Sequence, residues 1–209
     1  MSIAPWQLQI VKRSLKKKEK LDLIRKHVHI KPTDLVLDLG CAQGILSFFL
    51  RQKGGTWIST DLDFTNLKSS QSVLGDNLVQ MGVPALPFKD GAFDQVVCLD
   101  YLEHVDDDAG TLAEIRRVLK PGGRLLVLEF SKVWAPLKGP YDAYSFGLLP
   151  RLGKLVADDE ASYRYLAESI RMHPDQETLK AMMLAAGFDK VDYFNLTAGV
   201  VALHRGFKY

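Results

Sequence analysis

Short apolar runs alternate along this chain with longer stretches in which apolar residues return at helical spacing. Residues 34–39 (DLVLDL), 56–60, 78–81, 93–99 and 124–130 read as strands, because each is brief, rich in Val, Leu or Ile, and bounded by Gly, Pro or Asp. Between the first two lies a helix over 44–52, with Ile45, Leu46, Phe48, Phe49 and Leu50 largely buried and Gly54-Gly55 as its end. Over 111–119, Leu112, Ile115, Val118 and Leu119 fall at i, i+3, i+6 and i+7, and Pro121-Gly122-Gly123 closes that helix. Strand, helix and strand in this order imply right-handed crossovers and parallel pairing, so a doubly wound α/β sheet with helices on both faces is the economical architecture.

The rhythm changes at both ends. Residues 6–29 place Trp6, Ile10, Val11, Leu15, Leu21, Ile24 and Val28 at loosely helical spacing among many lysines, until Lys31-Pro32 stops the run. From 131 to 173 no strand is expected. That stretch is rich in aromatics (Trp134, Tyr141, Tyr144, Phe146, Tyr163, Tyr165) and reads as helical pieces over 141–149 and 161–170. A helix with Pro174 near its start then runs to about Ala186 and is capped by Gly187, and 190–196 and 200–204 read as a closing antiparallel pair.

At 209 residues, 47% hydrophobic and 25% charged, the chain reads as one domain over 1–209, with a basic helical segment at 1–30 and a helical insert at 131–173. A net charge of +2 is too small to argue for nucleic acid, and no aromatic-interleaved basic patch accompanies the lysines. Lys12, Arg13, Lys16, Lys17, Lys18 and Lys20 are read first as a solvated helix face; contact with anionic lipid or phosphate is the alternative. No run approaches the ~20 apolar residues of a membrane span, and the lysines interrupt any secretory signal. The expectation is a cytoplasmic protein, with peripheral membrane contact left open. Cys41 and Cys98 lack metal-ligand spacing and read as reduced structural thiols.

Candidate chemistry starts at residues 35–44, where the first strand ends in Asp38 and breaks into a loop with Gly40 and Gly44. The pattern Asp-x-Gly-x-x-x-Gly is not the GxGxxG that brings a pyrophosphate to a helix N-terminus, so a ligand without a pyrophosphate is expected. Asp38 would repel phosphate and suits a cationic or hydroxyl-bearing ligand, and S-adenosylmethionine fits through its sulfonium, amino group and ribose. Asp61 ends the second strand, where a carboxylate can accept both ribose hydroxyls; the bland alternative is a helix cap. Residues 80–83 would flank the adenine. The expected cofactor set is Asp38, Gly40, Cys41, Gln43, Gly44, Asp61, Leu62, Gly82, Val83 and Leu99. After the fourth strand comes Asp100-Tyr101-Leu102-Glu103-His104. His104 is the candidate general base, since imidazole titrates near neutrality. Asp100, Glu103 and His104 could instead ligate a divalent ion, or form only an acidic helix start.

Asp38, Gly40, Gly44 and Asp61, with Ala85-Leu86-Pro87-Phe88, Phe93-Asp94 and Leu119-Lys120-Pro121-Gly122-Gly123, resemble the class I S-adenosylmethionine-dependent methyltransferases over roughly 35–130. That resemblance implies a Rossmann-like, mostly parallel seven-stranded sheet in the order 3-2-1-4-5-7-6 with the last strand antiparallel. Residues 117–132, 141–146, 162–176 and 195–209 resemble the ubiquinone/menaquinone biosynthesis C-methyltransferases, the UbiE family, which implies a polyprenyl quinol as acceptor held by the aromatic insert. Tyr144, Phe146, Tyr163 and Tyr165 would line its lid, or else pack as core. The chain thus reads as a general methyltransferase front half joined near Arg117 to a quinone-family back half. Where the UbiE family carries an Arg-Asn pair after strand four, this chain has Glu103 and His104. A small-molecule O- or N-methyltransferase and a non-catalytic cofactor-binding subunit are the other readings.

Overall fold

The computed structural model describes residues 15–82, 85–143 and 174–209. Its elements are α1 (Leu15–His27), β1 (Leu35–Leu39), α2 (Ile45–Arg51), β2 (Thr56–Asp61), α3 (Phe64–Leu74), β3 (Leu78–Gln80), β4 (Phe93–Leu99), α4 (Asp108–Val118), β5 (Leu119–Phe130), α5 (Lys138–Asp142), α6 (Gln176–Ala185), β6 (Lys190–Leu196) and β7 (Val201–Phe207). The strands form one sheet in the order β3-β2-β1-β4-β5-β7-β6. Strands β1 to β5 pair in parallel, and β7 runs antiparallel to both β5 and β6. This is the order the resemblance implied.

Each central strand is buried on both faces, and its alternate residues feed two cores. Val96 and Cys98 of β4 and Leu125 and Val127 of β5 join Leu112, Ile115 and Val118 of α4 and Leu179 and Met183 of α6. Val97, Leu99, Leu126 and Leu128 join Leu21, Ile24 and Val28 of α1 and Leu50 of α2 on the other face. Helix α6 starts on Asp175, whose side chain accepts from Thr178 N, and ends at Gly187 (φ 93°), where the Phe188 N–H reaches back to Met183 O.

The sequence motifs have structural reasons. Asp94 Oδ2 accepts from the Leu35 backbone N–H and from Lys120 Nζ, both at 2.8 Å, so Phe93-Asp94 and Leu119-Lys120 lock β4 to the start of β1. Arg117 donates to the carbonyls of Leu86 and Phe88 and to Glu114 and Asp90, which clamps the 85–88 turn. Strand β5 begins at Leu119, five residues before the expected Arg124, because Lys120-Pro121-Gly122-Gly123 forms an irregularity within it: Phe93 pairs with Leu119 but Gln95 with Arg124. Of the helical pieces expected over 141–149 and 161–170, residues 144–149 and all of 161–170 lie outside the described residues, as do Tyr144, Phe146, Tyr163 and Tyr165.

Candidate active site

The parallel sheet changes direction between β1 and β4, the position where α/β sheets bind ligands beyond their carboxyl ends. Three segments meet there: the loop after β1, the end of β2, and the turn after β4. The loop after β1 is closed on itself. Gly40 N and Cys41 N both donate to Thr60 O, at 3.0 and 2.8 Å, Gly44 N donates to Cys41 O at 2.8 Å, and Ala42 N donates to Asp61 Oδ2 at 2.8 Å. With those N–H groups spent internally, the loop offers little to a pyrophosphate. Gly40 has φ +79°, and a Cβ there would strike the Tyr101 ring; Gly44 has φ +76° and is backed by Leu74 and Ser70 of α3. Both positions therefore need glycine, for backbone and for space.

Asp61 anchors the second segment. It is 9% exposed, and its Oδ1 accepts from Asp63 N (2.9 Å) and Asn66 Nδ2 (3.2 Å) while Oδ2 holds Ala42. The N-cap of α3 is Asp63, which accepts from Thr65 N, so Asp61 is not the helix cap. Three donors leave the carboxylate room for a further hydrogen bond. Leu62, exposed, lies beside Gly82, where a Cβ would sit 3.1 Å from Leu62 Cδ1. Leu99 is buried at the end of β4, and Val83 lies outside the described residues. Gln43 is exposed.

Two members of the expected set sit beneath this surface. Asp38 is 2% exposed and faces α2: it accepts from Ser59 Oγ at 2.7 Å and from Ser47, with Arg51 bonded to the same Ser59. Burial raises its pKa, while Ser47, Ser59 and Arg51 hold it down. The Cys41 side chain is also enclosed, against Ser70, and burial pushes its thiol up to about 12.

The turn after β4 is built differently. Asp100 has φ +50°, a left-handed conformation that costs a non-glycine residue about 1 kcal/mol. Glu129 of β5, 1% exposed, holds the turn by accepting from Tyr101 N and Leu102 N, both at 2.7 Å. Its pKa is pushed well up by burial, with those two hydrogen bonds opposing. Lys20 of α1 bonds both oxygens of Asp100. Glu103 has a side chain 11% exposed, its Oε2 is buried without a hydrogen-bond partner, and burial raises its pKa. His104 Nε2 lies 3.5 Å from Glu103 Oε1, and its side chain is 68% exposed. No group of His, Cys, Asp or Glu among the described residues is arranged to hold a metal ion, and Lys20 already occupies the Asp100 carboxylate. The site is therefore a crevice with carboxylates at both ends and an apolar flank, suited to a ligand that carries hydroxyls, a flat ring and positive charge.

The sequence model of the ubiE/COQ5 methyltransferase family matches residues 11–208. The chain belongs to that family. It is 55% identical over 185 residues to the ubiquinone/menaquinone biosynthesis C-methyltransferase UbiE of Serratia proteamaculans, covering 83% of this chain and 74% of that one. The Escherichia coli (strain K12) protein of the same name is 54% identical with the same coverage. Phosphoethanolamine N-methyltransferase 2 of Haemonchus contortus, solved with S-adenosyl-L-methionine, shares the fold at TM-score 0.66 and 14% identity, over 91% of this chain and 52% of that one. The family match runs through Arg117 without a break there, so the front half belongs to the same family as the back.

Membership makes this a methyltransferase that uses S-adenosylmethionine. The crevice fits that cofactor: it has a carboxylate with hydrogen-bonding room, a loop with few free N–H groups, and an unpartnered carboxylate oxygen near the β4 end. The sequence signal of Glu129 is only a lone acid inside the apolar run 125–130, and nothing local separates Lys20 from the other lysines of its helix face.

Proposed function

We propose that this chain methylates the ring of a quinol-like, lipid-soluble acceptor, the reaction class for which its relatives in ubiquinone and menaquinone biosynthesis are named. The observation that carries the proposal is the 55% identity to such an enzyme over 185 residues. In this reading Asp61 accepts from the ribose, Leu62, Gly82, Val83 and Leu99 flank the adenine, and the loop of Gly40, Cys41, Gln43 and Gly44 encloses the methionine end, with Asp38 fixing the loop from below. Bound S-adenosylmethionine supplies an electrophilic methyl group that leaves a neutral thioether behind.

The chain's own contribution is placement and proton removal. His104 takes the hydroquinol O–H proton, which leaves a phenolate that pushes electron density onto the ring carbon; that carbon bonds the methyl as the S–CH3 bond breaks, and its own C–H proton is then lost to solvent so that the ring regains aromaticity. Glu103, 3.5 Å from His104 Nε2, orients the ring and offsets the imidazolium charge. The apolar acceptor excludes water from the reacting carbon. The acceptor class resides in a bilayer, so we place the enzyme in the cytoplasm with its basic N-terminal segment turned to anionic lipid; among the described residues no helix is long and apolar enough to cross a membrane.

The test is incubation with methyl-labelled S-adenosylmethionine and a short-chain demethylmenaquinol, with the product mapped by mass spectrometry. Label on a ring carbon is the expected result. Label on oxygen would make this an O-methyltransferase, and cofactor binding without transfer to this quinol or to catechol-type acceptors would overturn the catalytic reading.

A further inference from the structure

Helix α1 is rich in lysine, yet Lys20 does not behave as a solvated cation. Its side chain is only 17% exposed, its Nζ donates to Asp100 Oδ1 at 2.9 Å and to Oδ2 at 2.8 Å, and it lies 5.2 Å from the centroid of the Phe130 ring. Both contacts are at the carboxyl ends of β4 and β5, one element away from the glycine loop, whose Gly40 is packed against Tyr101. Asp100 follows β4 directly, where the chains leaving β1 and β4 diverge. Lys20 thus carries a positive charge from the far N-terminal helix into the mouth of the crevice.

That charge enters an anionic neighbourhood. Asp100 lies close enough to raise the proton affinity of both Glu103 and Glu129, and Glu103 keeps a buried oxygen without a partner. A ligand that differs from another only by a positive charge reads this local potential directly. S-adenosylmethionine and its product S-adenosylhomocysteine are such a pair, since they differ by one methyl group and the sulfonium charge. Burial, stacking and ribose hydrogen bonds are shared by both and cancel in the ratio of their affinities.

We propose that Lys20 sets how strongly the crevice distinguishes the cationic cofactor from its neutral product, by cancelling the Asp100 charge through the bidentate contact. This rests on the cofactor placement proposed above. With Lys20 in place the potential at the sulfonium is softened, and the product leaves a site that does not penalise it further. Without Lys20 the uncompensated Asp100 favours the cation, because two charges at crevice distances interact appreciably at the dielectric of a partly buried site.

The experiment is isothermal titration of each ligand into the full-length protein at low salt. The wild type is compared with Lys20→Met, Lys20→Arg and Asp100→Asn. Lys20→Met is expected to raise the ratio Kd(S-adenosylhomocysteine)/Kd(S-adenosylmethionine) about fivefold, in line with a single partly screened charge. Lys20→Arg should keep the wild-type ratio, and Asp100→Asn should lower it by leaving Lys20 uncompensated. If Lys20→Met weakens both ligands in parallel, or Asp100→Asn moves the ratio the same way as Lys20→Met, the lysine only anchors α1 and the inference is overturned. Asp61→Ala separates this failure from a misplaced cofactor. Weaker binding of both ligands at an unchanged ratio upholds the placement on which the Lys20 result is read, and unchanged affinity for both overturns placement and inference together.

Discussion

The two ends of the crevice are held in opposite ways. At the β1–β2 end nearly every polar group has an internal partner: Asp61 ties down Ala42, Asp63 and Asn66, and Thr60 O receives two N–H groups. At the β4 end Glu103 retains an unpartnered buried oxygen, and the balance of charge depends on a lysine from a distant helix. The first end is preorganised and has little left to rearrange. The second carries the uncompensated charge, and that is where protons and a sulfonium have to be managed.

Substitutions should break this contrast in graded fashion. The largest effect is expected at Gly40, the residue that joins the two ends, because a Cβ there meets the Tyr101 ring and φ is +79°. Gly40→Ala should lower stability by about 3 kcal/mol and weaken cofactor binding roughly 100-fold, as read by thermal melts and titration. His104→Asn comes next. Its ring is 68% exposed, so stability should hold to within about 0.5 kcal/mol while methyl transfer slows by roughly 100-fold. Asp61→Ala should weaken cofactor binding about tenfold, the worth of one charge-assisted hydrogen bond.

Glu103→Gln tests the β4 end through stability. Burial raises the Glu103 pKa in the folded state, so the protein gains from its protonated form at low pH and loses that gain as pH rises through the raised value. Glutamine removes the ionisation. The melting temperature at neutral pH should rise by about 2–4 °C, and the acid-to-neutral fall in stability should flatten; a lower melting temperature would show that the charge is compensated. The smallest effect is expected at Cys41, whose thiol is pushed to about 12: alkylation at pH 8 should be negligible in the folded protein and complete in denaturant.

The sheet was legible because its strands are continuous Val/Leu runs and its breaks are Gly, Pro and Asp; residues 34–39, 93–99 and 190–196 differ from β1, β4 and β6 by no more than one residue. The glycine loop and Asp61 were legible for the same reason, since a tight turn and a strand-terminal acid leave local signatures. The β4 end was not. That Glu129 would reach back to the Tyr101 and Leu102 amides, and that Lys20 would cross 80 positions to Asp100, depends on tertiary contacts that no local window contains. The inward turn of the Asp38 side chain to Ser59 and Ser47 was equally invisible in the local pattern, because both partners come from other elements.

The central claim is that the cofactor lies in the crevice between these two ends. A crystal structure with S-adenosylhomocysteine tests it most directly. The account predicts ribose hydroxyls on the Asp61 carboxylate, the adenine against Leu62 and Gly82, and the thioether sulfur toward Asp100 and Glu103. Density instead in the groove of about 470 Å³ outside α3 and β3, lined by Lys68, Gln71, Asn77 and Gln80, would contradict it.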